Sequence, residues 1–101
     1  MVILKEYVRG NIIRFVALFK DASGASIIPT SPAFYTYDPY GSLVVSATPT
    51  SASGDGRYVY NLVTATNWNL GTYRSEFRGI VSSGTVSHSV FWKLLAGDVN
   101  T

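Results

Sequence analysis

Asn69-Leu70-Gly71-Thr72-Tyr73-Arg74-Ser75-Glu76-Phe77-Arg78-Gly79 is the stretch that decides the fold class. In an extended chain Tyr73, Ser75 and Phe77 share one side, and Thr72, Arg74, Glu76 and Arg78 share the other. A helix would scatter those charges around its circumference. A half-buried strand sorts them, so the segment reads as β.

The neighbouring sequence follows the same rule. No twelve-residue window carries a helical period, and turn signals recur at Arg9-Gly10-Asn11, Asp21-Ala22-Ser23-Gly24, Asp38-Pro39-Tyr40-Gly41, Ser53-Gly54-Asp55-Gly56, Asn69-Leu70-Gly71 and Ser82-Ser83-Gly84. That rhythm predicts strands at about 3–8, 11–20, 33–38, 42–48, 57–63, 72–79 and 85–95. In the second, Ile13, Phe15, Ala17 and Phe19 form one row; the other row, Ile12, Arg14, Val16, Leu18 and Lys20, is also largely apolar. In the fifth, Tyr58, Tyr60 and Leu62 oppose Arg57, Val59, Asn61 and Val63. The last strand places Val86, His88, Val90, Trp92 and Leu94 together against Ser87, Ser89, Phe91 and Lys93. The third is ambiguous: either Phe34 and Thr36 or Ala33, Tyr35 and Tyr37 face inward, and a one-residue slip exchanges them. Ile27-Ile28-Pro29, inside the loop Ala22 to Pro32, reads as a short strand or an inward plug.

Composition narrows the class of protein. With 101 residues the chain is expected to form a single domain spanning 1–101. It has no cysteine, which removes disulfides, thiol catalysis and cysteine-based zinc sites. Charged residues make up 14%, against roughly 25% in an average soluble domain, and hydrophobic residues reach 47%. A charge-poor, aromatic-rich chain of this kind is expected to have part of its surface covered by a partner. The net charge of +2 comes without a basic cluster, so no direct nucleic-acid contact is expected. The longest apolar run, Ile12 to Phe19, is broken by Arg14 and is far shorter than the ~20 residues of a spanning helix, so no membrane insertion is expected. Met1 to Tyr7 lacks the features of a secretory signal, which leads to the expectation of synthesis in the cytoplasm.

Gly56-Arg57-Tyr58-Val59-Tyr60 followed by Gly71-Thr72-Tyr73 resembles the paired G-x-Y elements in the late strands of immunoglobulin-like domains. Asp21-x-x-Gly24 and Asp38-Pro39-x-Gly41 are similar to turns after their second and third strands. Tyr73 matches the tyrosine-corner position, with Ser75 where disulfide-bearing members carry their second cysteine. The resemblance implies an all-β, single immunoglobulin-like antiparallel β-sandwich of seven or eight strands. Such domains recur in bacterial surface proteins and in head, neck and tail proteins of tailed bacteriophages, and a free-standing copy made in the cytoplasm is more similar to the viral kind.

The chemistry-bearing residues give no reaction. Asp21, Asp38 and Asp55 each sit beside glycine or proline, where an aspartate stabilises a turn, and none has calcium-loop spacing. His88, the single histidine, lies in an apolar row and reads as a packed or rim residue. No nucleophile motif is present. No catalytic residue, cofactor or metal is therefore expected.

Six tyrosines are too many for so small a core: Tyr7, Tyr35, Tyr37, Tyr40, Tyr58 and Tyr60. They are candidates for protein–protein contact, with core or rim packing and carbohydrate stacking as the other readings. Arg74 and Arg78 read either as a solvated charge ladder or as recognition residues. The apolar segment Val2 to Val8 either completes a sheet edge at home or adds to a neighbour's sheet. The expected function is structural and non-enzymatic: a tailed-phage virion component (capsid decoration, neck or tail accessory protein) bound to other virion proteins or to copies of itself. The alternative is an extracellular bacterial adhesion or carbohydrate-binding module at the cell surface.

Overall fold

The computed structural model describes residues 4–51, 54–81 and 84–96 and contains strands and turns only. The strands are β1 (Lys5–Val8), β2 (Ile12–Leu18), β3 (Thr30–Tyr37), β4 (Leu43–Ala47), β5 (Thr50–Ser51), β6 (Arg57–Val63), β7 (Gly71–Val81) and β8 (Gly84–Leu95). They form one sheet ordered β1-β8-β7-β3-β4 and a second ordered β2-β6-β5. The chain changes sheet between β1 and β2, β2 and β3, β4 and β5, and β6 and β7, and the two sheets pack as a β-sandwich. All pairings are antiparallel except β1 with β8, which runs parallel from Lys5↔Trp92 to Val8↔Leu95. Residues 5–8 therefore complete a sheet edge at home. The expected turn at Ser82-Ser83, the loop positions Ala52-Ser53, Val2-Ile3 and the end from Gly97 onward lie outside the described residues.

Alternation buries one row per strand. Ile13, Phe15, Ala17 and Phe19 face in from the second strand and its end, while the residues between them are exposed. Phe34 and Thr36 win the inward side of β3, which turns Tyr35 and Tyr37 outward. Tyr73, Ser75 and Phe77 face in from β7. The core is an aromatic stack: Trp92 lies 4.7 Å from Tyr73 and Tyr73 lies 5.6 Å from Trp68, while Phe34 stacks on Tyr60 at 4.4 Å. Offset ring pairs add ~0.5–1.5 kcal/mol each beyond burial of area.

Three polar groups enter this core and satisfy one another. Trp92 Nε1 donates to Ser75 Oγ at 2.9 Å, and Ser75 Oγ lies 2.9 Å from Thr36 Oγ1. The Tyr73 hydroxyl donates to the Asn69 carbonyl at 2.6 Å, closing the corner that leads into β7. Burial pushes the Tyr73 phenol pKa up, with the negative charge of Asp38 adding to the effect and Arg9 opposing it.

Two loops and the last strand carry details that the sequence pattern leaves open. The loop after β4 contains the two-residue β5, paired to Val59 and Tyr58. The loop before β3 is an inward plug: the Ile27 N–H donates to the Phe19 carbonyl at 3.1 Å, and Pro29 is buried. Gly56 accommodates that plug, because its φ of +99° disfavours side chains and an added Cβ would collide with the Ile27 carbonyl. In β8 the row is as expected, but Val90 and His88 are exposed. The smaller sheet ends at β2, and among the described residues no strand lies beyond it to cover them.

Ser75→Ala leaves the buried Trp92 indole N–H and Thr36 hydroxyl without their partner and is expected to cost about 1–3 kcal/mol in denaturant unfolding. Gly56→Ala is expected to cost about 2 kcal/mol or more by the same measurement, since backbone must move. A raised phenol pKa means that the Tyr73 contribution is complete below the unfolded value of ~10 and disappears as pH rises through the folded value. Stability measured upward from about pH 9 should therefore fall, and Tyr73→Phe should make that decline shallower.

Candidate functional site: an arginine–tyrosine face

The outer surface of the five-stranded sheet is built by cross-strand register. Tyr37 pairs with Arg74, Tyr35 with Glu76, and Ala33 with Arg78. On the other side of β7, Arg74 pairs with Phe91, Glu76 with Ser89, and Arg78 with Ser87. Because side chains alternate, these residues stand together on one face.

Glu76 is the centre of the arrangement. Its Oε1 accepts from Arg74 Nη1 at 2.8 Å, and its Oε2 accepts from Arg78 Nε at 3.1 Å. Each guanidinium also lies over a ring: Arg74 Cζ is 4.2 Å from the Tyr37 centroid, and Arg78 Cζ is 4.7 Å from that of Tyr35. Two arginines and two tyrosines thus cover one carboxylate, leaving Glu76 only 5% exposed. The expected solvated ladder is corrected here: Arg74 and Arg78 are half-exposed, but the acid between them is buried. The hydrogen bond and negative charge of Glu76 hold the Arg78 guanidinium protonated beyond its ordinary range.

The face is electrostatically unbalanced and geometrically fixed. One carboxylate stands against two guanidiniums, so a net positive charge faces outward. Each arginine is held by an ion pair and a ring, and loses less rotamer freedom on binding than a free arginine. Apolar surface flanks the group: Phe91 is 53% exposed beside Arg74, and Leu43 pairs with Tyr37 at a bulge in β4. Arginine, tyrosine and phenylalanine are enriched at interface cores.

The remaining candidates are dispersed. Tyr40 is exposed at the tip of the β3–β4 turn. Tyr7 is half-buried edge-on against Trp92, and Tyr60 is half-buried against Phe34. Tyr58 faces the core at 6% exposure, edge-on to Phe19, so as a contact residue it is corrected to a core residue. Sequence reasoning missed Glu76 and Phe91. The signal for Glu76 was its place between two arginines at two-residue spacing, legible only once aromatic rings are known to stand opposite.

The aspartates serve turns. Asp21 Oδ1 accepts from Ser23 N, Ser23 Oγ and Ala25 N, and those bonds, the hydroxyl first, hold its pKa below the ordinary carboxylate value. Asp38 Oδ1 accepts from Tyr40 N and Ser42 N, both at 2.9 Å. Among the described residues no three acidic or imidazole groups converge on a metal-sized site. No protein-family model matches the chain, and no curated protein or solved structure matches it.

Glu76→Gln keeps the shape of the site and removes its countercharge. Because both arginines are partly solvated, the expected loss of stability is about 1–2 kcal/mol, less than for a fully buried pair. Repeating the unfolding in roughly 1 M salt should narrow the gap between variant and parent.

Proposed function

We propose that this chain is a non-enzymatic binding protein whose working surface is the outer face of the five-stranded sheet, with Arg74, Arg78, Tyr35 and Tyr37 at its centre. The observation that carries the reading is the clamped pair of arginines, two cations fixed before any partner arrives. A partner presenting carboxylates or backbone carbonyls at that spacing would gain charge-assisted hydrogen bonds at little entropic cost. A protein surface suits the face better than a sugar, because guanidinium groups already cover the rings of Tyr35 and Tyr37.

The narrower form of the proposal is a virion component of a tailed phage (a decoration, neck or tail accessory protein), which rests on the resemblance of the turns and late strands. On a symmetric lattice, many copies of a modest contact would give high occupancy through multivalency.

The test combines light scattering with co-sedimentation on particles of the source. Wild-type chain is expected to sediment with particles. Arg74→Gln/Glu76→Gln/Arg78→Gln, which removes both cations together with the buried acid they cover, should weaken that association by at least about 30-fold, as expected for two hot-spot residues, with an unchanged fold by circular dichroism. A wild-type chain that stays monomeric and never associates with particles overturns the virion reading. Association that survives the triple variant moves the interface elsewhere.

A further inference from the structure

The geometry points to a second docking surface: the open edge of β2, with the cleft behind it, takes an extended segment of a partner protein in which apolar residues alternate with acidic ones. It lies on the smaller sheet and is separate from the arginine–tyrosine face.

The backbone of β2 is half-used. Phe19 N–H donates to the Gly56 carbonyl, and Thr64 N–H donates to the Asn11 carbonyl. With Ile13↔Leu62, Phe15↔Tyr60 and Ala17↔Tyr58 in register between them, the odd-numbered residues of β2 direct their backbone groups at β6. The N–H and C=O groups of Ile12, Arg14, Val16 and Leu18 then point to the opposite side, where no strand pairs among the described residues. An unpaired row of this kind is a template for strand addition.

Side chains on both sides of that edge are also uncovered. On the outer face Ile12 is 66% exposed and its cross-strand partner Val63 is 63% exposed, with Val16 and Leu18 continuing the row. On the inner side lies a cleft of about 220 Å³ with Phe15, Phe77 and Trp92 among its walls. Val90 and His88 line it from β8. A fourth strand in the smaller sheet, beside β2, would bond the free backbone row, flank Ile12, Arg14, Val16 and Leu18 with one set of side chains, and send the other set into the cleft.

Charge selects the occupant. Lys5, Arg14 and His88 all line the cleft, and no carboxylate does. A second copy of β2 would bring another Arg14 to the same edge, which disfavours self-pairing. A strand that sends valine-sized residues into the cleft and sets glutamate or aspartate on the outer face beside Arg14 meets both the apolar walls and that cation.

The probe is an acetylated, amidated heptapeptide alternating valine and glutamate, compared with its lysine counterpart, both at millimolar concentration. The glutamate peptide should raise hydrogen-exchange protection of the Arg14, Val16 and Leu18 amides by at least about tenfold, with the lysine peptide binding at least about tenfold more weakly. Arg14→Glu should invert that preference. Val16→Pro removes an edge N–H that β6 does not use, and should abolish binding while the fold persists; if that variant does not fold, Arg14→Glu decides alone. Equal binding of the two peptides, protection confined to other strands, or no protection overturns the inference. So does concentration-dependent dimerisation through β2, which would make a second copy the occupant.

Discussion

The hydroxyl of Ser75 is the constraint on which the sandwich depends. It sits in the middle of β7, accepts from the Trp92 indole and is paired with Thr36 on the other neighbouring strand. Three adjacent strands of the larger sheet are thereby fixed in register from the inside. A one-residue slip of β7 would bury Arg74 and expose the stack of Trp92 on Tyr73. The same register places Glu76, one residue on, between its two arginines on the outside. Core and candidate site are thus set by a single alternation.

Much of this was legible from residue order. The inward row of β2 stands out because Phe15 and Phe19 are spaced by even steps, and the face of β7 is declared by its charges. The tyrosine corner was likewise readable from Tyr73 after Asn69-Leu70-Gly71, and its hydroxyl bond is present. Choices that depend on residues distant in sequence were not legible. Nothing local distinguishes Phe34 from Tyr35 as the inward residue; in the fold Phe34 packs on Tyr60 and Phe77 inside, while Tyr35 and Tyr37 lie under Arg78 and Arg74 outside. Glu76 looks solvated until those rings are placed. Tyr58 and Tyr60 share one face, yet the first is buried edge-on to Phe19 and the second is half-covered, stacked on Phe34. Val90 is exposed within an inward row, and His88 takes the rim place of its two readings, because the alternation of a strand does not show whether another layer reaches across it.

The two surfaces described here differ in their physics. The arginine–tyrosine face has its backbone paired within the sheet and offers two cations held by an ion pair and a ring, so it suits a preformed surface. The β2 edge offers unpaired backbone and uncovered aliphatic side chains, so it suits an extended segment that becomes ordered on contact. Phe91 of β8 borders both, beside Arg74 on the outer face and in the wall of the cleft.

The parallel pairing of β1 with β8 has a mechanical consequence. Because both strands point the same way, a pull applied to the chain ahead of Lys5 and beyond Leu95 acts on that ladder in opposite directions along its length. The rungs from Lys5–Trp92 to Val8–Leu95 then share the load together in shear instead of peeling one after another. A module joined to neighbours at both flanks would resist extension there first, before the tension reached the aromatic interior.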